Sequence, residues 1–188
     1  MIAILGESAS GKSTLQNDFI KAHPEYAKVV LFTTRPPRKD EKDGKDYHFV
    51  SKPAFNRLVK SGFFATVEQY NDWYYGIPKG DCAGEKTVII VNPCAWRKLQ
   101  KQGFEMTSIY LYVDRRSRLI NILLRGDDIE EAYRRNLTEV GQFDGVSFES
   151  DYVIANSEYH MNREQVVKCM EEILETNNDS KDMGETNE

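Results

Sequence analysis

Nine consecutive residues, Gly6-Glu7-Ser8-Ala9-Ser10-Gly11-Lys12-Ser13-Thr14, constrain this chain more than any other feature. They match G-x-x-x-x-G-K-[ST], a loop that wraps phosphate. The surroundings suit such a loop. Met1-Ile2-Ala3-Ile4-Leu5 is a short apolar run that reads as a buried strand, and Leu15, Phe19 and Ala22 follow at helical spacing. Gly6 and Gly11 allow backbone angles that a side chain forbids. The N–H groups of the loop, those of Ser8 and Ser10 among them, then turn inward onto phosphate oxygens at the positive end of the next helix. Lys12 supplies a charge for β- and γ-phosphates, and the Ser13 hydroxyl is a ligand for Mg²⁺. A bare glycine turn can match the pattern by accident, but a strand before it and a helix after it make accident the weaker explanation.

The 188 residues suffice for one domain with a sizeable core or for a core with a small inserted lobe. No run of eighteen apolar residues is present, so no membrane-spanning helix is expected. Five residues precede the loop, which leaves no room for a signal peptide. A net charge of −5 argues against non-specific binding to nucleic acid, whose backbone demands a basic surface. Cys82, Cys94 and Cys169 stand far apart, without zinc or redox spacing, which suggests reduced thiols in a cytoplasmic protein. His23, His48 and His160 form no ligand pattern, and no internal repeat is visible.

Lys28 to Phe32 reads as a second strand. The prolines of Thr33-Thr34-Arg35-Pro36-Pro37-Arg38 then break regularity. Tyr47 to Val50 reads as a short strand, Ser51 as the cap of a helix bearing Phe55, Leu58 and Val59, Phe63 to Val67 as a strand, and Tyr70 to Gly76 as an aromatic turn. The stretch from Thr33 to Cys82 therefore resembles an insertion lying over the sheet. Regular alternation resumes with strands at Thr87–Val91, Ser108–Val113 and Tyr152–Ala155, and helices at Ala95–Gln102, Arg115–Leu124, Ile129–Val140 and Arg163–Leu174. Residues from Asn177 onward are polar and read as a disordered tail. Alternating strands and helices predict an α/β fold, with a parallel sheet covered by helices on both faces.

Two arginine groups ask for an explanation. Arg35 and Arg38 lie three apart in a proline-stiffened loop, with Tyr47 nine residues on. Rigid guanidinium forks suit bidentate capture of a phosphate, and a phenol adds a donor. Two solvated surface arginines would look the same in isolation. Arg125, Arg134 and Arg135 bracket a break at Gly126. Such a segment suits a lid that closes over a triphosphate and neutralises the transferred phosphoryl. It equally suits an ordinary charged helix in which Glu130 and Glu131 face Arg134 and Arg135. In combination, a triphosphate grip, a second anion pocket and a closing arginine segment describe phosphoryl transfer between two phosphates. Hydrolysis needs no second anion pocket.

The run Thr33-Thr34-Arg35-Pro36-Pro37-Arg38, with Glu41, Gly44, Tyr47, Phe49, Val50 and Ser51 following at fixed spacing, resembles the guanylate kinase family. Tyr74-Tyr75-Gly76 and Asp151-Tyr152-Val153-Ile154-Ala155-Asn156 resemble two further motifs of that family, and order and spacing agree over residues 2 to about 175. The resemblance implies a P-loop kinase three-layer fold with a parallel sheet, a small mixed nucleoside-monophosphate-binding lobe and a helical lid. It assigns residues 1–32, 84–124 and 141–176 to the core, 33–83 to the lobe and 125–140 to the lid, with 177–188 as the tail. It further implies transfer of the γ-phosphoryl of ATP, with Mg²⁺, to GMP or dGMP. Arg35, Arg38, Tyr47 and Tyr75 would bind the acceptor phosphate. Lys12, Ser13 and Thr14 would bind ATP and Mg²⁺, Asn156 would lie near the adenine, and Arg125 and Arg135 would act from the lid alongside Lys12 and Arg35. The partners implied are these two nucleotides, without nucleic acid or membrane, and with room for a homodimer.

Departures from the family cluster at the groups that read guanine. Leu31 stands where the family has a serine, Thr66 where it has a glutamate, Ile77 where it has Ser or Thr, and Val91-Asn92-Pro93 where it has D-x-D. Glu68, two residues past Thr66, either reaches guanine by a register shift or is a solvated strand residue. Two other functions stay open beside the first. One is the same chemistry on a different or modified nucleotide or a phosphosugar, as in the related ribose bisphosphate phosphokinases, whose central strand also ends in Val-Asn. The other is a non-catalytic, phosphoprotein-binding guanylate kinase-like module, against which the intact P-loop argues.

Overall fold

The computed structural model describes residues 1–38, 41–70, 72–124, 126 and 129–184, without the side chains of 131, 132, 135 and 178–184. A five-stranded parallel sheet has the order β2-β7-β1-β8-β9, formed by Ala27–Lys28, Thr87–Ile90, Ile2–Leu5, Thr107–Tyr112 and Tyr152–Ala155. A separate mixed sheet has the order β4-β3-β6-β5, formed by His48–Phe49, Phe32–Thr33, Trp73–Pro78 and Phe64–Tyr70. The helices are α1 (Lys12–Ala22), α2 (Lys52–Lys60), α3 (Pro93–Lys101), α4 (Arg115–Leu124), α5 (Ile129–Glu139), α6 (Val146–Glu149) and α7 (Arg163–Gly184). The residues group into two compact units. One comprises Met1–Ala3 and His23–Thr107, the other Ile4–Ala22 and Ser108–Glu188.

In the first unit, β2 pairs in parallel with β7, Ala27 opposite Thr87. The mixed sheet combines a parallel pair, β3 with β4, and two antiparallel pairs, β3 with β6 and β5 with β6. Its core is aromatic. Phe55 of α2 stacks on Phe64 at 4.8 Å and on Tyr74 at 5.8 Å between ring centroids. Gly76 is required by this packing, because a Cβ there would lie 2.6 Å from the Phe64 ring. Ser51 caps α2 as expected, accepting from the Ala54 N–H at 3.3 Å. Pro93, Ala95, Trp96 and Leu99 are the buried residues of α3. In the second unit, α1 packs on α7, and Leu15, Phe19, Val166 and Met170 are buried. Here β8 and β9 run parallel with Ile109 opposite Tyr152.

Three expectations change. Lys28 to Phe32 is not one strand. Ala27–Lys28 belongs to the parallel sheet, while Phe32–Thr33 belongs to the mixed one. The run Val29-Val30-Leu31-Phe32 is apolar throughout and lacks the alternation that would mark where the chain changes sheets. The expected turn at Tyr70–Gly76 is largely β6, the return strand of a hairpin with β5. Its aromatic residues favour a half-buried pleated surface. The last helix does not stop at Leu174 but runs to Gly184, through most of the segment read as a disordered tail. Once a helix is nucleated, each added residue closes a hydrogen bond, so a polar sequence can extend it.

Candidate active site

The phosphate loop lies in the second unit, between β1 and α1. Gly6, Ala9 and Gly11 take φ of 153°, 65° and 98°. A Cβ on Gly6 would lie 2.6 Å from Ser10 Oγ and 2.7 Å from the Leu111 carbonyl oxygen, so only glycine fits against β8 there. The Ser10 hydroxyl is buried without a hydrogen-bond partner, which suits a loop that closes around a polar ligand. Lys12 Nζ donates to the Glu7 carbonyl at 2.7 Å. Burial draws the Lys12 ammonium down to a pKa of about 8, opposed by the nearby charges of Glu139 and Glu7. Ser13 and Thr14, in the first turn of α1, are exposed.

A carboxylate already occupies part of this loop. Glu139, the last residue of α5, accepts from the Ser8 N–H at 2.9 and 3.1 Å and from the Ser8 hydroxyl at 2.5 Å. The loop thus holds anionic oxygens, as the motif requires. Beside it lies a cavity of about 690 Å³, lined in part by Ser10, Gly11, Thr14, Leu111, Asn156 and Tyr159. That volume lies within the range of small-molecule sites. Asn156 is buried in its wall, with both amide atoms spent on Met161: Oδ1 accepts from the Met161 N–H at 2.8 Å, and Nδ2 donates to the Met161 carbonyl at 3.3 Å. Tyr159 donates its hydroxyl to the Ala9 carbonyl at 2.5 Å and thereby ties the cavity wall to the loop.

The first unit gathers the second cluster. Arg35 donates Nη2 to Glu41 Oε1 at 2.8 Å and Nη1 to the Pro36 carbonyl at 2.8 Å. Its guanidinium lies 5.5 Å from the centroid of the Tyr47 ring. Glu41 also accepts from the Arg38 N–H at 2.8 Å. Burial raises the Glu41 carboxyl, but the Arg35 hydrogen bond and the Arg38 N–H and charge outweigh it and hold it below the usual range. Tyr47 and Tyr75 meet edge to face at 6.1 Å. Burial pushes the Tyr47 phenol up, which keeps it a proton donor. Arg35, Arg38, Tyr47 and Tyr75 are therefore brought together. Sequence reasoning missed the part played by Glu41 in holding the forks, although its i+3 spacing from Arg38 was a readable signal.

Glu68 stands opposite Tyr75 in the β5–β6 register. It is not a solvated strand residue. Asn92 Nδ2 donates to one of its oxygens at 2.6 Å and Lys98 Nζ to the other at 3.1 Å. Burial would raise its carboxyl, yet bonds from Asn92, Cys94 and Lys98 hold it below the usual range. Asn92 is itself committed at its other end, where Oδ1 accepts from the Ala95 N–H at 2.8 Å and caps α3. Both ends of the Asn92 amide are thus bonded within the protein. Thr66, Ile77 and Val91 are buried.

Arg125 and the side chain of Arg135 lie outside the described residues; Arg134 is on α5. Among the described residues no cluster of three or more His, Cys, Asp or Glu is placed to hold a metal ion. An exposed hydroxyl at Ser13 fits a Mg²⁺ that keeps most of its waters and takes its other ligands from substrate phosphates. Cys82, Cys94 and Cys169 are free thiols. No helix among the described residues is long and apolar enough to cross a membrane.

A family model described as "Guanylate kinase" matches residues 1–176. A guanylate kinase of Nostoc sp. is 32% identical over 165 residues, covering 85% of this chain and 83% of that one. A guanylate kinase of Rubrobacter xylanophilus is 28% identical over 183 residues, covering 93% and 94%. The crystal structure of guanylate kinase from Anaplasma phagocytophilum superposes with a TM-score of 0.67 at 24% identity, over 94% of this chain and 85% of that one, and supports the fold. With the phosphate loop and the arginine–tyrosine cluster both in place, the chain belongs to the guanylate kinase family.

Proposed function

We propose that this protein is an ATP-dependent nucleoside monophosphate kinase that moves the γ-phosphoryl of ATP to the phosphate of GMP or dGMP, giving ADP and GDP or dGDP. The observation that carries the reading is the phosphate loop, whose Ser8 donors already hold a carboxylate beside the half-buried Lys12. The Arg35, Arg38, Tyr47 and Tyr75 cluster supplies the acceptor grip. Phosphoryl transfer asks little covalent chemistry of a protein and depends on positioning and charge. Lys12 and the loop N–H groups hold the donor phosphates. Ser13 would ligate a Mg²⁺ ion, which when bound neutralises charge on those phosphates. Arg35 and Arg38 align the acceptor, with Tyr47 and Tyr75 as phenol donors, and Glu41 keeps the forks in place. The lid role of Arg125 and Arg135, the place of Asn156 near adenine, and the core, lobe and lid ranges complete the proposal. We place the reaction in the cytoplasm, where ATP and free thiols coexist.

A second acceptor choice has its own support. Thr66 and Ile77 are buried, and both Glu68 oxygens are bonded within the protein. A site built to hydrogen-bond its substrate rejects analogues by roughly 10⁴ or more, whereas apolar walls discriminate weakly. A changed or relaxed base preference on the same phosphate chemistry is therefore the runner-up. Coupled ADP release with ATP and Mg²⁺, run against GMP, dGMP and the other common monophosphates, tests both. Turnover with GMP or dGMP supports the first reading, and turnover with another base alone supports the second. Absence of ATP binding overturns both.

A further inference from the structure

The phosphate loop takes part in a largely buried charge pair that a bare phosphate grip does not require. Glu7, the second residue of the loop, accepts the Tyr110 hydroxyl at 3.0 Å and Arg118 Nη2 at 3.3 Å. Arg118, on α4, is 6% exposed. Its guanidinium also donates to the carbonyls of Val113 at 3.0 Å and Ser8 at 3.4 Å. The backbone carbonyl of the same Glu7 is the resting place of Lys12 Nζ. Glu7 is thus held by its side chain from α4 and β8 while its backbone holds the ammonium.

Stability is a poor reason for such a pair. Replacing a buried ion pair with well-packed apolar groups is often neutral or stabilising. The position of the pair is more telling. Two successive residues of the loop, Glu7 and Ser8, are tied to one guanidinium, and the carbonyl they frame anchors the phosphate-binding lysine. We propose that Arg118, acting through Glu7, is a positioning residue for Lys12. It fixes the carbonyl on which the ammonium rests and balances the charges around it. The inference rests on reading the loop as a donor-phosphate site.

The experiment measures ADP affinity by calorimetry and the acceptor KM by coupled assay. The variants are Arg118→Met, Glu7→Gln, Lys12→Met and the double variant K12M/R118M. Arg118→Met should bind ADP more weakly by tenfold to on the order of 10²-fold, as misplacement of a binding group costs, with the acceptor KM as in wild type. In the Lys12→Met background the same change should have almost no effect, because no ammonium is left to position. Glu7→Gln removes the hold on the carbonyl from the other side and should give a loss of similar size, so the inference stays testable if Arg118→Met fails to fold. An equal loss in both backgrounds, or wild-type ADP affinity in Arg118→Met, would overturn it. Failure of wild-type protein to bind ADP would overturn the donor-site reading, and the inference with it.

Discussion

Lys12 is the residue on which most depends. Replacing it with alanine should lower kcat by roughly 10²–10³-fold, the scale on which a positioned electrostatic group acts, while circular dichroism and the melting temperature stay near wild type. Unchanged turnover would remove Lys12 from the mechanism. Its depressed pKa also sets two opposed trends. The folded protein sheds this proton near pH 8 and the unfolded chain near 10.5. Across that window the unfolded state binds more protons, so the contribution of this group to stability rises with pH. ADP affinity should fall over the same window as the cation is lost, and the Lys12→Met variant should show neither trend. At the acceptor cluster, Arg38→Ala should raise the acceptor KM with little change for ATP, and a selective loss of ATP binding would show the two grips reversed. The phosphate loop was legible in the sequence because its chemistry is contiguous. Glu139 and Arg118 were not, because they reach Ser8 and Glu7 from 131 and 111 positions away, across distances no local pattern encodes.

Elements with one clear period were readable. The α4 helix ends where its spacing predicts, and β9 occupies Tyr152–Ala155. Two strands were not: β3 follows an unbroken apolar run that hides the change of sheet, and β6 carries a cluster of aromatic residues with a glycine that reads as a turn. The Ser51 cap is a further readable signal, and Ser51→Ala should cost about 1 kcal/mol of stability in chemical denaturation. At α5 the consequence is functional. A donor phosphate bound at Ser8 must displace the Glu139 carboxylate. Glu139→Gln should therefore tighten ADP binding several-fold, since a ligand that competes with an internal occupant gains when that occupant weakens. A weaker ADP complex would instead make Glu139 a partner of the nucleotide.

At the scale of the molecule, each unit holds one of the two grips. ADP alone should slow amide exchange over residues 6–13, and the acceptor alone should slow it over residues 33–49, as read by mass spectrometry. Protection of both stretches by either ligand would show that neither grip acts on its own. The fold class was visible from the alternation of strands and helices, whereas the division into units was not, because it cuts through the first strand. Met1–Ala3 belongs to one unit and Ile4–Leu5 to the other. That interleaving matters during synthesis. In chain order the loop precedes residues 23–107 of the other unit, and its distant side-chain partners in its own unit, Tyr110, Arg118, Glu139 and Tyr159, all come after them. At about 5–20 residues per second, translation of residues 23–107 takes roughly 4–17 s. For that time the nascent loop and α1 lack the later half of their own unit, and the earlier-made part of it is the one that must wait.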